Sequence, residues 1–360
     1  MLPTPSLYAA RPELAVDGVD DPALGEHLLS LVVAETDDGL ARCEAVFTNW
    51  GRRDGGVGYL FSDRRHLDFG TPIVLRMGAG DRAGEVFDGR ISGLEPHFPR
   101  DRPPELIVLA EDGLQQLRMT RRTRSFEDVT DADVIRTVAS QHGLRAELEV
   151  DGPRHRVVAQ LNLSDLAFVR ERARAVDAEV WVTGDVLHAQ ARARRDAGTV
   201  TLTYGQDLRE ASVLADLAHQ RTSVAVGGWD VAAKEAIEQE ATGRAVTPEL
   251  DGDVAGVAIL ERALGPRHER LVGTMPATTA EAQAMADAVM RRTARRFVTG
   301  RIVAEGDGRL RVGSKVELRA LGEGFSGTYH VHEVRQVFDG TSGHVTHLGV
   351  QRAGLAPEGR

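Results

Sequence analysis

The chain has 360 residues, more than one core ordinarily covers, and its 42% hydrophobic and 27% charged content is that of a globular protein with two or three domains. A net charge of −10 argues against a surface devoted to nucleic acid, whose phosphates require clustered Lys and Arg. Cys43 is the only cysteine, so no intrachain disulfide can form and a reducing compartment is expected; Met1–Pro5 lacks the pattern of a secretory signal, and no apolar run reaches membrane-spanning length.

The first third reads as β structure. Apolar runs at Pro72–Met77 and Glu105–Ala110 flank a Gly-interrupted strand pattern at Glu85–Leu94, with turn-rich segments Gly78–Gly84 and Pro99–Pro104 between them. Short strands with such punctuation suggest a barrel or sandwich. Near Ser125 the character changes. Thr130 and Asp133 form a capping-box pattern ahead of Val134, Ile135, Val138 and Ala139 at helical spacing, and Gly143 supplies a stop. A second helix is expected after Ser164, followed by strands at Glu179–Thr183 and Val186–Ala189. β pattern resumes at Thr199–Tyr204 and near Val224–Val226. Residues 241–270 lack clear periodicity and read as a long loop or mobile insertion. A capping box, Thr278 to Glu281, opens a helix over about 279–297. Strands at Val312–Arg319, Thr328–Phe338 and His344–Gln351 close the chain.

One stretch has an internal echo. Gly70-Thr71-Pro72-Ile73-Val74-Leu75-Arg76 is matched by Gly313-Ser314-Lys315-Val316-Glu317-Leu318-Arg319, and each is followed by Phe-x-Gly, at Phe87–Gly89 and Phe325–Gly327. This predicts a duplicated β domain whose copies superpose, with Gly89 and Gly327 at matching strand starts. The domain division is then 1–125 for the first barrel, 126–197 for an inserted α/β module and 198–355 for the second barrel.

Chemical constellations are sparse. His330 and His332 alternate on a strand, and His344 and His347 lie on the next, but the second pair has the wrong spacing to share a face, so exposed or interface histidines are favoured over a metal site. Gly78–Gly84 has no helix behind it to receive a phosphate and reads as a hairpin loop. Gly324–Gly327 has Thr328 where a nucleophile elbow needs Gly. Asp131 and Asp133 are explained by capping, and neither they nor Glu35 and Asp37 form a pair suited to glycoside hydrolysis. Arg118, Arg121, Arg122 and Arg124 make a basic run without aromatic stacking platforms, better suited to an interface than to nucleic acid. No catalytic, cofactor-binding or metal residue is assigned, and no cofactor is expected.

Several segments in order resemble a known family: Val86–Ile91, Ala110–Leu114 running into Arg121–Phe126, Thr130–Leu144, Gln160–Phe168, Tyr204–Leu208 and Phe325–Val331. Over roughly residues 60–351 the chain resembles the phage late-control protein D family, whose fold also forms the N-terminal part of valine-glycine repeat protein G of type VI secretion. The resemblance implies a mixed, mainly β fold with α+β parts: two related β-barrels forming a tube-like hub, with a small α/β module between them. It also implies a homotrimeric, non-enzymatic baseplate hub of a contractile injection system or phage tail. Such a hub joins a six-fold inner tube protein to a three-fold spike, continues the channel and contacts other baseplate proteins. The chain ends at Arg360 just after the last expected hub strand, so the spike is expected to be a separate polypeptide. Synthesis in the cytoplasm followed by incorporation into a particle is expected. The rival classes are a cell-wall hydrolase, which needs a convergent acid pair in a cleft, and a host-binding tail-tip protein, which would favour an aromatic-rich surface.

Overall fold

A computed structural model describes residues 11–53, 55–230 and 233–357. The N-terminal segment inspected for a leader and the last three residues lie outside the described residues.

The first half contains β1 (Glu13–Val16), β2 (Leu28–Thr36), β3 (Arg42–Thr48), β4 (Pro72–Met77), β5 (Gly84–His97) and β6 (Glu105–Glu111). They pair in the order β1-β4-β5-β6-β3-β2, every neighbour antiparallel. Alternating residues face inward as a half-buried sheet requires. Leu31, Phe47, Ile73, Leu75, Phe87 and Val108 are among the buried side chains of this core.

The inserted module follows: β7 (Arg121–Thr130), α1 (Asp131–Gln141), β8 (Arg145–Glu149), β9 (Arg154–Ser164), α2 (Asp165–Ala175), β10 (Ala178–Thr183) and β11 (Val186–Ala191). β7 and β9 form an antiparallel ladder; β8-β11-β10 form a second sheet. The capping box at Thr130 is complete: its hydroxyl accepts from the Asp133 amide, and the Asp133 carboxylate accepts from the Thr130 amide at 3.0 Å. Ser164 caps α2 by accepting from the Ala167 amide. Ile135, Val138, Leu166 and Val169 bring both helices onto Val180 and Leu187 of the sheet.

The second half begins with β12 (Thr199–Thr203) and β13 (Leu208–Ala215). An excursion then carries β14 (Ser223–Asp230), β15 (Glu235–Thr242), α3 (Gly256–Leu264), β16 (His268–Leu271) and α4 (Thr279–Arg295). The chain returns through β17 (Val298–Glu305), β18 (Lys315–Arg319), β19 (Gly327–Asp339) and β20 (Gly343–Arg352). The sheet order is β12-β18-β19-β20-β17-β13.

This order repeats that of the first half, strand for strand and in the same chain sequence. Two irregularities repeat too, although the β4–β5 shift between Leu75 and Arg76 has no counterpart in β18–β19. The β2–β3 ladder shifts register between Leu28 and Ser30, and β13–β17 shifts between Leu208 and Glu210. The β5–β6 ladder shifts between Ile91 and Gly93, and β19–β20 between Val331 and Glu333. Gly70 and Thr71 exchange backbone bonds with Ile91 as Gly313 and Ser314 do with Val331. Bulges re-aim a strand at a chosen point, so coincident bulges align the halves residue by residue. One difference is orientation: β1 is antiparallel to β4, whereas β12 is parallel to β18. The halves are joined in one sheet by β2, which pairs with the C-terminal part of β19 over Ser30–Thr36 and Glu333–Asp339.

The mainly β fold with an α/β insertion is thus the fold observed, although neither six-strand series closes on itself by a ladder among the described residues. Two expectations need correction. The bulges align Gly89 with Tyr329 and Gly327 with Phe87, so the Phe-x-Gly pairs are two residues out of register; Gly89 lies within β5, whereas Gly327 begins β19. The hairpin loops before them differ in length, and sequence similarity bridged the gap at the wrong place. Residues 241–270 are also not a long loop. They contain the end of β15, a 3-10 turn at Gly243–Glu249, α3 and most of β16, and Val246 and Val257 are buried with Val224, Ala286 and Met290.

Candidate functional site: the charged junction

The two halves and the module meet at a cluster of buried charges. Asp177, in a left-handed conformation after α2, and Glu249, from the 3-10 turn, both receive Arg295 from the last turn of α4. Arg295 bonds both Asp177 oxygens at 2.6 and 2.7 Å and Glu249 at 2.6 and 2.7 Å. Burial alone would lower its pKa, but the Glu249 and Asp177 carboxylates raise it further above the usual arginine range. Arg195 donates to Glu179 at 2.8 Å and lies over the Trp181 ring at 4.0 Å. Arg311, before β18, donates to Glu35 of β2 at 2.8 Å and to the Glu85 carbonyl of β5 at 3.0 Å, tying the second half to the first. A cavity of about 510 Å³ opens here, lined by Asp37 and Asp38, by Arg174, Arg192, Arg292 and Arg296, and by Gln351 among others.

A second latch joins the module to α4. His155 of β9 bonds Glu281 through Nδ1 at 2.9 Å and Asp131 through Nε2 at 3.1 Å, while Arg172 donates to Asp131 at 2.6 Å. Burial would lower the His155 pKa; the two carboxylates overcome it and raise it to about 9, so the imidazolium is the resident form at neutral pH. Glu281 therefore does more than cap. Thr278 accepts from its amide as expected, but its carboxylate accepts from the Ala277 amide and pairs with His155 instead of closing the box on Thr278.

The residues weighed from sequence are distributed among structural roles. Glu35 and Asp131 are buried in the ion pairs above, Asp133 caps α1, and Asp37 lines the cavity. His330 and His332 both lie near Arg192; His332 is the residue added by the β19 bulge, which breaks simple alternation. Burial, then Arg192 and its neighbours, lowers His330 to about 2. His344 sits at the other end of the ladder and bonds Gln336 at 2.8 Å. Among the described residues no three His, Cys, Asp or Glu side chains converge on a metal-sized site. Gly78–Gly84 forms the β4–β5 hairpin loop, and Gly84 approaches the Gly308 backbone so closely that an added Cβ would lie 2.4 Å from its carbonyl oxygen. Ser326 accepts from the Leu321 amide in the turn before β19. Arg122 and Arg124 are spent on Asp165 within the module, each at 2.9 Å, and Arg118 pairs with Glu111 of the first half. The junction was not legible as a site, because Asp177 and Arg295 are 118 residues apart and neither belongs to a local motif.

The outer face of the first-half sheet carries a second concavity, about 650 Å³, lined by Leu29, Val46, His97, Pro103, Glu105 and Ile107 among others. Beside it Trp50, Tyr59 and Phe98 form an exposed edge-to-face chain with centroids 5.2 and 6.1 Å apart.

Comparison with known proteins places the fold. Residues 53–339 match the family model described as the Alg8 N-terminal domain. The chain belongs to this family. The family is not the late-control protein D family that the sequence resembles. No curated protein matches. Among solved structures, the chain is similar to the 43 kDa tail protein of prophage MuSo2 from Shewanella oneidensis, at TM-score 0.69 and 11% identity over 95% of this chain and 98% of that one. It is also similar to a tail protein from Neisseria meningitidis, at TM-score 0.68 and 12% identity over 95% and 97% of the two chains. A third similar structure is an E. coli component of the type VI secretion system that resembles the T4 bacteriophage tail proteins gp27 and gp5, at TM-score 0.58 and 10% identity over 92% and 76%. The family member described here thus has the fold of phage tail proteins. No helix among its described residues is long and apolar enough to cross a membrane.

Proposed function

We propose that this chain is a structural hub of a phage-tail or contractile-injection baseplate, a homotrimer that adapts a six-fold inner tube to a three-fold spike, continues the channel and performs no catalysis. The observation that carries the reading is the repeat of strand order and bulges within one chain. Two equivalent halves per chain give a closed trimer six similar surfaces on one side while its own symmetry remains three-fold. The tail-protein fold shared with the Shewanella and Neisseria structures supports the setting. The charged junction fits a part that must resist force: Arg295 fixes the α4 excursion to the module and Arg311 fixes the second half to the first, through buried charges whose breakage leaves an uncompensated charge inside. The tube protein, a separate spike and other baseplate proteins are the partners implied, and the particle is the site of action after cytoplasmic synthesis.

The test is to locate a tagged chain in assembled particles and to assay the purified chain on peptidoglycan. The reading expects the tag in the ring between tube and spike, and no turnover. Turnover lost on replacing Glu35, Asp37, Asp131 or Asp133, or a tag confined to a tail fibre, would replace it with the hydrolase or host-binding alternative.

A further inference from the structure

The junction between the halves is used once within the chain, yet both of its faces occur twice. β2 is sandwiched between β3 and the C-terminal part of β19. Its equivalent, β13, forms a ladder with β17 alone among the described residues, apart from a single bridge from Leu208 to Tyr204, and ends the sheet. The C-terminal part of β19 lies between β20 and β2, whereas the equivalent Gly93–His97 of β5 pairs only with β6, because β4 stops opposite Arg90. Among the described residues both of these strand edges are therefore unpaired, and they are the two complementary faces of a contact that the fold already makes internally.

The β13 edge carries few devices that normally prevent strand addition. Its eight residues, Leu208–Ala215, include no Pro or Lys, and Leu214 is 60% exposed. The matching segment of β5 contains Pro96, which contributes only its carbonyl to a ladder; proline is tolerated on edge strands for that reason.

We propose that the β13 edge is an interface for a second copy of this chain, which adds Gly93–His97 of its β5 as the next antiparallel strand. The internal junction sets the register. Val334 opposes Glu35 and Arg335 opposes Ala34 in the chain itself. The bulge alignment converts these rows to Leu94 opposite Ala215, Glu95 opposite Leu214, Pro96 opposite Val213 and His97 opposite Ser212 across the interface. Each chain offers one edge of each kind, so the contact runs head to tail and generates a ring if its rotation closes. The inference rests on the proposed hub: in a trimer, internal and intermolecular copies of one junction would alternate six times around the ring.

Paired cysteines test the interface. Opposed residues of antiparallel strands have Cα atoms about 4.5–5.5 Å apart, within disulfide reach. Cys43 is buried and does not compete. The double variant Glu95→Cys with Leu214→Cys, oxidised in assembled particles, should run as covalent trimers on non-reducing gels. Ala34→Cys with Arg335→Cys, on the equivalent internal row, calibrates the geometry by linking within one chain. If particles contain the chain as a ring oligomer and the internal pair links while Glu95 and Leu214 variants stay monomeric, the interface is wrong and the hub reading stands. Stronger linking of Glu95→Cys with Val213→Cys, one row away on the opposite face, overturns the register. A chain present as a lone monomer in the particle overturns both the hub and this interface.

Discussion

Between β2 and β3 the first half turns through residues 37–41; between the equivalent β13 and β17 the second half interposes residues 216–297, a sheet and two helices. Between β3 and β4 the imbalance is reversed, with residues 49–71 in the first half facing 306–314 in the second. The strands between these excursions keep their order and two of their bulges. Ladder geometry is fixed by many cooperating backbone bonds, whereas a surface turn can lengthen at little thermodynamic cost, so the halves diverged at their turns. The means of holding them differ as well. The first half closes over an apolar core centred on Phe47, Ile73, Leu75 and Phe87. The second half has its own apolar core, but its excursion is also fastened to the module by Arg295 and His155.

That contrast can be broken most forcefully at Arg295. Arg295→Ala strands the Asp177 and Glu249 carboxylates and should cost roughly 3–5 kcal/mol in denaturant unfolding. Amide exchange should quicken in α4, β10 and the 3-10 turn while β4–β6 keep their protection. Uniform loss across both halves would show that the junction does not distinguish them.

The His155 latch should set a pH slope. Its folded pKa of about 9 lies above the ordinary 6.5, so its contribution is complete below about 6.5 and is lost as pH rises through about 9. The full loss is on the order of 3 kcal/mol, and His155→Gln should flatten this part of the stability–pH curve. Asp112 acts at lower pH. Burial raises its pKa to about 7 despite bonds from the Ala41 and Leu114 amides, so the folded state holds its proton longer and this group erodes stability between about 4 and 7. An unchanged slope above pH 7 in the His155 variant would contradict the latch.

A finer comparison uses equivalent glycines. Gly70 and Gly313 both have left-handed backbones, with φ of 80° and 91°. Alanine at Gly70 meets open space and should cost only the backbone strain, about 1–2 kcal/mol. At Gly313 a Cβ would lie 2.5 Å from Nε of Arg195, which Glu179 and Trp181 hold in place, so about 1–3 kcal/mol should be added. Equal losses would mean that Arg195 yields freely.

These particulars also show what a sequence can reveal. The Gly70–Arg76 and Gly313–Arg319 echo was legible because both glycines need positive φ and both strands alternate inward residues. The helices of the module were legible from Thr130, Asp133 and Ser164, whose side chains cap locally. α3 was missed because its N-cap, Ala255, offers no side-chain hydrogen bond and the helix is held by Val257 and Leu260 packing. The repeat of bulges was invisible, since a bulge is a relation between strands. The charged junction was illegible for the same reason, as its partners come from segments far apart in the chain.

Two equivalent halves of one chain are proposed to build a six-position ring from three copies. Electron cryomicroscopy of the assembled particle, with the halves identified by the α/β module and the α4 excursion, would show that ring. Three chains per ring are expected, with first and second halves alternating at six similar positions beneath the tube. Six chains in one ring, or a ring in which only one half of each chain faces the tube, would contradict that arrangement.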